Sequence, residues 1–307
     1  LNFAPLPMKN FISNILVNIV EFSDHESYFQ YIDDKYKYAL QNELPEELRP
    51  NGRYQNCVWT LWLQGEKNAP PVVKNCIKSF RTYIKDRRLI VLDENSIQKY
   101  LTLPKYIIDK YKNGIISRTH FADIVRYCLL YKYGGLWLDA TVLLTDKLPC
   151  KILIQNFFVF SIYKIFKSNE NLATNWLIHS KPKEVILKDI INLNLEYWKH
   201  ENQLMNYYQN FIFFAFSVKH NPEANTHFKK MPYIPEQRHF FISYSSLYSD
   251  DLLSKLIKFS HFPIHKLSYK DEQMRDRGII FRYIYENSIL HFFSRPDALE
   301  ELQRRSS

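Results

Sequence analysis

Residues 118–144, RTHFADIVRYCLLYKYGGLWLDATVLL, constrain this chain more than any other stretch. Phe121, Ile124, Val125, Cys128 and Leu129 recur at the spacing of one helical face, which predicts a helix over 118–133. Gly134 stands where a left-handed residue closes a helix. A short apolar strand, Leu136-Trp137-Leu138, then delivers Asp139 at its end. In α/β sheets, ligands bind outside the carboxyl ends of strands. A carboxylate there suits a hard divalent cation held against nucleotide phosphates, because phosphates and waters complete the coordination shell. The competing reading is a carboxylate that caps the turn after two glycines.

The preceding segments supply the sheet. Cys57-Val58-Trp59-Thr60-Leu61-Trp62-Leu63 reads as a buried strand ended by Gln64-Gly65, and Pro70-Pro71 opens a helix. Val73, Cys76, Ile77, Phe80 and Ile84 follow helical spacing, and Leu89-Ile90-Val91-Leu92 forms a second strand closed by Asp93. Strand, helix and strand in this order make a βαβ unit. The expected class is therefore α/β.

Further helical pieces are expected near 96–113, with Pro104 between them, and over Phe11–Val20, Ile186–Trp198 and Leu252–Phe259. Phe157–Tyr163 and Val142-Leu143-Leu144 read as extended segments. Phe211–Val218, FIFFAFSV, is buried but of undecided type. Pro45 and Pro50-Asn51-Gly52 separate a helical N-terminal extension, 1–56, from a core at 57–150 and a less regular remainder at 151–307.

Asp123 and Arg126 lie three apart on the helix and so are neighbours. Two readings stay open: a ribose-binding carboxylate with a cation that holds a phosphate or orients Asp139, or a plain surface ion pair. His265-Lys266 follows a half-apolar extended stretch, and is either a closing segment over the ligand or an edge with solvated cations.

Several classes are excluded. With six glycines in all, and no G-x-G-x-x-G or G-x-x-x-x-G-K-[ST], a glycine-rich phosphate loop is absent. No G-x-S-x-G or H-E-x-x-H occurs. Cys57, Cys76, Cys128 and Cys150 form no C-x-x-C pair and read as reduced thiols. The formal net charge of +9 is dispersed rather than gathered into one basic face, which argues against nucleic acid as a partner. No apolar run is long enough to span a bilayer. The expectation is a cytoplasmic protein, with peripheral contact to an anionic inner membrane face as the minority alternative.

The stretch from Trp59 to about Pro149 resembles the capsular-polysaccharide-synthesis branch of glycosyltransferase family 32. The matching pieces are Trp59–Gly65, Ala69-Pro70-Pro71-Val72-Val73, Ala122–Tyr127 and Tyr133–Thr141, in this order and spacing. The resemblance implies a GT-A-like, Rossmann-type nucleotide-sugar fold, a divalent ion (Mn²⁺ or Mg²⁺) and retention of anomeric configuration. It implies that Trp59, Trp62, Gln64 and Gly65 line the base and ribose, and that Asp123 touches the nucleoside. Arg126 would meet the anionic groups of the site, and Asp139 the metal and ribose. A His-Lys-Leu segment late in the chain also resembles this branch, implying His265 as a further metal ligand and Lys266 as the cation facing the leaving group.

One departure matters. The wider motif is Asp-x-Asp, and here the second position is Thr141, a far weaker ligand. Ligation by Asp139 alone, metal held through waters, or weak metal dependence all remain open. The implied activity is transfer of a hexose or N-acetylhexosamine, most readily from a UDP-sugar, to an oligosaccharide or lipid-linked surface glycan. The rivals are an idle nucleotide-binding scaffold of the same fold and a basic nucleic-acid-binding protein.

Overall fold

The computed structural model describes residues 25–50, 56–161, 173–234 and 263–267, with isolated positions 297, 298, 300 and 304. The helices expected at Phe11–Val20 and Leu252–Phe259 lie outside the described residues, as do Asn51-Gly52 and Ser268–Lys270.

In chain order the elements are α1 (His25–Tyr36), β1 (Cys57–Leu61), α2 (Pro71–Tyr83), β2 (Arg88–Leu92), α3 (Lys105–Lys112), α4 (Arg118–Tyr133), β3 (Gly135–Leu138) and β4 (Val142–Leu144). There follow α5 (Cys150–Leu153), β5 (Phe157–Ser161), β6 (Ala173–Ser180), α6 (Val185–His200), α7 (Gln209–His220), α8 (Pro222–Lys230) and β7 (Ile264–Lys266). One sheet has the order β2-β1-β3-β6-β5. Its first three strands are parallel, whereas β6 is antiparallel to both β3 and β5. The class is α/β, as the βαβ pattern predicts. The sheet draws β5 and β6 from beyond position 150, so the expected core and remainder share one sheet.

The β1 strand lies centrally in the parallel half and is buried along its whole length. That accounts for a strand in which only Thr60 is polar, since parallel strands are covered on both faces. From β1 the chain crosses through α2 to β2 on one side, then returns past β1 to β3 on the other. Connections that leave in opposite directions define a switch point, here between β1 and β3, and the crevice outside their carboxyl ends is where α/β sheets bind ligands. The second sheet, β4 with β7, is antiparallel and sits at that end of the molecule, because β4 begins three residues after Asp139.

The undecided segment FIFFAFSV is helical and lies within α7. An all-round apolar run reads equally as a buried strand or a buried helix, and length alone separates them. Its burial is nearly complete because α1, α6, α8 and β6 all pack on it. The segment Trp176–His179 lies in core strand β6: its residues are buried, and Trp176 stacks on Phe160 at 4.7 Å between centroids.

The described part of the N-terminal extension is fastened to the carboxyl half. Tyr31 and Tyr36 each donate to Glu201 Oε1 at 2.7 Å, and Phe29 packs edge-on against Phe216 at 5.7 Å. It closes the same core and does not stand apart as a module.

Candidate active site

The helix α4 begins as its sequence dictates. Ser117 caps it, its Oγ accepting from the His120 backbone N–H at 3.3 Å. It ends at Gly134, whose N–H donates to the Leu130 carbonyl at 2.8 Å. Gly134 adopts φ 68 and ψ −163, a region open essentially to glycine alone, instead of the left-handed helical well expected. The chain thereby turns directly into β3.

A surface ion pair between Asp123 and Arg126 is overturned. Residues 123–130 are all buried, so the helix has no solvated face here. The Arg126 side chain is only 5% exposed. Its Nη2 lies 2.9 Å from Asp139 Oδ1 and 3.1 Å from Asp123 Oδ1, while Nη1 donates to the Asn175 carbonyl. The guanidinium also lies over the Trp137 ring at 4.9 Å. Buried, with Nη2 shared by two carboxylates and Nη1 on the Asn175 carbonyl, Arg126 orients Asp139 and is not open to a phosphate. Asp123 is likewise closed to a nucleoside. Its Oδ1 accepts from Asn175 Nδ2 at 3.1 Å and its Oδ2 from Asn210 Nδ2 at 2.9 Å. Burial pushes the Asp123 carboxyl above its ordinary range, against the pull of Arg126.

Asp139 itself is held by four groups, Arg126 among them, and its side chain retains 22% exposure. Its backbone N–H donates to the Trp176 carbonyl at 2.9 Å, which docks the β3 end on β6. Trp137 Nε1 donates to Oδ1 at 2.8 Å, and Lys266 Nζ approaches Oδ2 at 3.0 Å. Burial would raise this carboxyl, but the Arg126 and Lys266 cations override it and hold the group below the usual carboxylate range. Residues i and i+2 of a strand share a face, so the Trp137–Asp139 contact was already implicit in the spacing.

Lys266 reaches the site on β7. The register sets Val142 opposite Lys266 and Leu143 opposite His265, and the Leu267 N–H donates to the Thr141 carbonyl at 2.9 Å. Successive strand residues point to opposite faces. Lys266 therefore turns to Asp139 and to Thr141 Oγ1, 2.5 Å away. His265 turns the other way: it is buried, with Nε2 3.1 Å from Thr145 Oγ1. That corrects the expectation of His265 as a metal ligand beside Asp139.

Trp59 needs a correction as well. It is fully buried in mid-β1, donates Nε1 to the Gly134 carbonyl at 2.9 Å and packs on Tyr100 and Tyr133. It braces the helix end rather than lining a base. Trp62, Gln64 and Gly65 do lie beyond β1 at the carboxyl edge, half-buried or exposed. Beside them stands Asp93 at the end of β2, where a Cβ on Gly65 would come 4.0 Å from its Oδ2. Asp93 Oδ1 accepts from the Ser96 N–H at 2.8 Å.

The residues that sequence reasoning passed over are Asn175 and Asn210. Asn175 is the lone amide of its strand, and Asn210 stands beside Gln209 at the start of an otherwise apolar helix, which is the one signal that could have marked them as fixing a buried charge.

A divalent ion fits this donor set poorly. Among the described residues no three His, Cys, Asp or Glu side chains converge on one point. Both Asp139 oxygens already face cations, and the Lys266 ammonium lies between Asp139 and Thr141, where an ion held by both would sit. The described helices include none long and apolar enough to cross a membrane.

Residues 9–285 match the family described as capsular polysaccharide synthesis protein. The chain is 25% identical over 171 residues to the O-glycosyltransferase PaGT of Phomopsis amygdali, covering 50% of this chain and 42% of that protein. It is 32% identical over 92 residues to the O-glycosyltransferase braB of Annulohypoxylon truncatum, covering 27% of this chain and 22% of that protein. It thus spans less than half the length of these curated relatives. Among solved structures, the PaToxG Glycosyltransferase is similar over 87% of this chain and 97% of its own, at 12% identity and a TM-score of 0.40.

Proposed function

This chain belongs to the capsular polysaccharide synthesis protein family, and from that premise we propose that it is a retaining glycosyltransferase of GT-A type. It would move a hexose or N-acetylhexosamine from a nucleotide sugar, UDP-linked, to a hydroxyl of a surface glycan. The observation that carries this reading is the position of Asp139. It stands at the carboxyl end of β3, beside the β1/β3 switch point, partly exposed and paired with a partly exposed cation. Two relatives named as O-glycosyltransferases support an oxygen acceptor.

In this reading Trp62, Gln64 and Gly65 border the nucleoside, and Lys266 faces the diphosphate. Trp137 and Arg126 hold Asp139, and Asp139 holds Lys266. The bond from the anomeric carbon to the diphosphate oxygen breaks, and a bond from the acceptor oxygen forms on the same face. The acceptor proton passes to the departing phosphate oxygen, so no protein base is required. A preorganised cation at the leaving group is the kind of contact that contributes most to such a barrier. The acceptor would be an oligosaccharide or a lipid-linked glycan. The basic net charge of +9 suits both the anionic donor and an anionic membrane face.

The test is a panel of UDP-, GDP-, CDP- and dTDP-sugars incubated with the purified chain, with release of nucleoside diphosphate as the signal. One donor should turn over and be competitively inhibited by its own diphosphate. If no donor is hydrolysed and calorimetry detects no nucleoside diphosphate binding, the reading fails.

A further inference from the structure

We propose that the Lys266 ammonium takes the place of the divalent ion, so that this site engages the leaving nucleoside diphosphate without metal. The inference rests on the glycosyltransferase reading and specifies the cation that reading requires. Asp139 and Thr141 stand two apart and offer a carboxylate oxygen and a hydroxyl oxygen to one cation. The cation there is Lys266 Nζ, 3.0 Å from Asp139 Oδ2 and 2.5 Å from Thr141 Oγ1.

Three features make this a built arrangement. First, β7 is registered on β4 by backbone pairing on both sides of Lys266, from Thr145 N–H to Pro263 O and from Leu267 N–H to Thr141 O. The ribbon therefore fixes the backbone that carries Lys266 and the face from which its side chain leaves. Second, Arg126 and Trp137 occupy Asp139 Oδ1, leaving Oδ2 for Lys266. A divalent ion would have to displace Lys266, and it would gain only one carboxylate oxygen and one neutral hydroxyl. Third, an ammonium has three donors. Two are used by Asp139 and Thr141, which leaves one for a ligand oxygen, and the side chain is 24% exposed. The Thr at the second motif position then has a physical reason. A carboxylate there would bind the ammonium too tightly and cancel its charge, whereas a hydroxyl orients it and leaves that charge for the phosphates.

The test is calorimetric titration of the full chain with UDP and GDP, in excess EDTA and in millimolar Mn²⁺. It is repeated on Lys266→Met and Lys266→Arg, with thermal melts to verify folding. Wild-type affinity in EDTA should stay within about threefold of that in Mn²⁺. Lys266→Met should weaken binding in EDTA by about tenfold or more, the scale of one lost charge contact. Added Mn²⁺ should strengthen binding to that variant and not to wild type, because the vacated Asp139–Thr141 pair is then open to metal. Lys266→Arg should recover part of the loss without metal. If wild-type binding falls about tenfold or more in EDTA, or if Lys266→Met binds as wild type does there, the inference is overturned and the glycosyltransferase reading stands. If neither nucleotide binds under any condition, both fall.

Discussion

Lys266 lies 3.0 Å from Asp139 although 127 residues separate them in the chain. On its other oxygen Asp139 meets Arg126, thirteen residues upstream. The carboxylate is thus clamped between a buried cation that fixes it and a half-open cation that it presents. Asp123, Arg126, Asp139 and Lys266 form a set of two negative and two positive charges, so removing any one leaves its neighbours uncompensated.

Asp139→Asn should lower turnover by about 100-fold or more, in line with losing a preorganised electrostatic element. It should also lower the melting temperature by several degrees, because Lys266 and Arg126 each lose a charged partner. Product release under saturating donor, with a parallel circular dichroism melt, checks both. Wild-type turnover in the variant would remove Asp139 from the mechanism.

Arg126→Met should destabilise the fold by about 3–5 kcal/mol, the cost of stranding buried carboxylates. A surface pair would be worth at most about 1 kcal/mol. Urea unfolding distinguishes the two. A shift of under about 1 kcal/mol would contradict the burial described for this residue.

Trp59→Phe should cost about 1–3 kcal/mol for the Gly134 carbonyl left without its donor, with a cavity contribution added. Nucleotide affinity of the folded variant should not change, because the indole packs on Tyr100 and Tyr133 inside the core. A clear loss of affinity with unaltered stability would return Trp59 to the binding site.

Asp189 gives the pH prediction. It is fully buried on α6, accepts from Ser217 Oγ at 2.6 Å and Asn221 Nδ2 at 2.9 Å, and burial pushes its carboxyl up to about 6 from 3.8. Between these values the folded state holds a proton that the unfolded state has released. Stability attributable to this group is therefore full below about pH 4 and is lost as pH rises through about 6. Two pKa units correspond to a cost on the order of 3 kcal/mol at neutral pH. Asp189→Asn should accordingly raise the urea midpoint at pH 7.5 and lose that advantage at pH 4.5. An unchanged difference between the two pH values would refute the raised carboxyl.

Much of the fold was legible in the sequence because it is local. The spacing of Phe121, Ile124, Val125, Cys128 and Leu129 specifies a helix, Gly134 permits a backbone turn that other residues avoid, and the apolar run 57–61 requires a strand covered on both faces. What could not be read was which polar groups are inside. From spacing alone, Asp123 and Arg126 read equally as ligand-binding groups or as a surface pair. Only the packing of α4 against β3, β6 and α6 closes water out and makes Asn175 and Asn210 their partners.

The sequence by itself determined the helix, the glycine turn and the strand end that place Asp139, because helical and strand periodicities act over a few residues. It also determined that the motif reads Asp-Ala-Thr. Only the tertiary structure decided which cation meets that motif. His265 and Lys266 are adjacent in sequence, one expected on a metal and the other at the leaving group. The register of β7 on β4 sends alternate side chains to opposite faces, which brings Lys266 to Asp139 and turns His265 to Thr145. Strand pairing is long-range, and a shift of one residue would exchange the two.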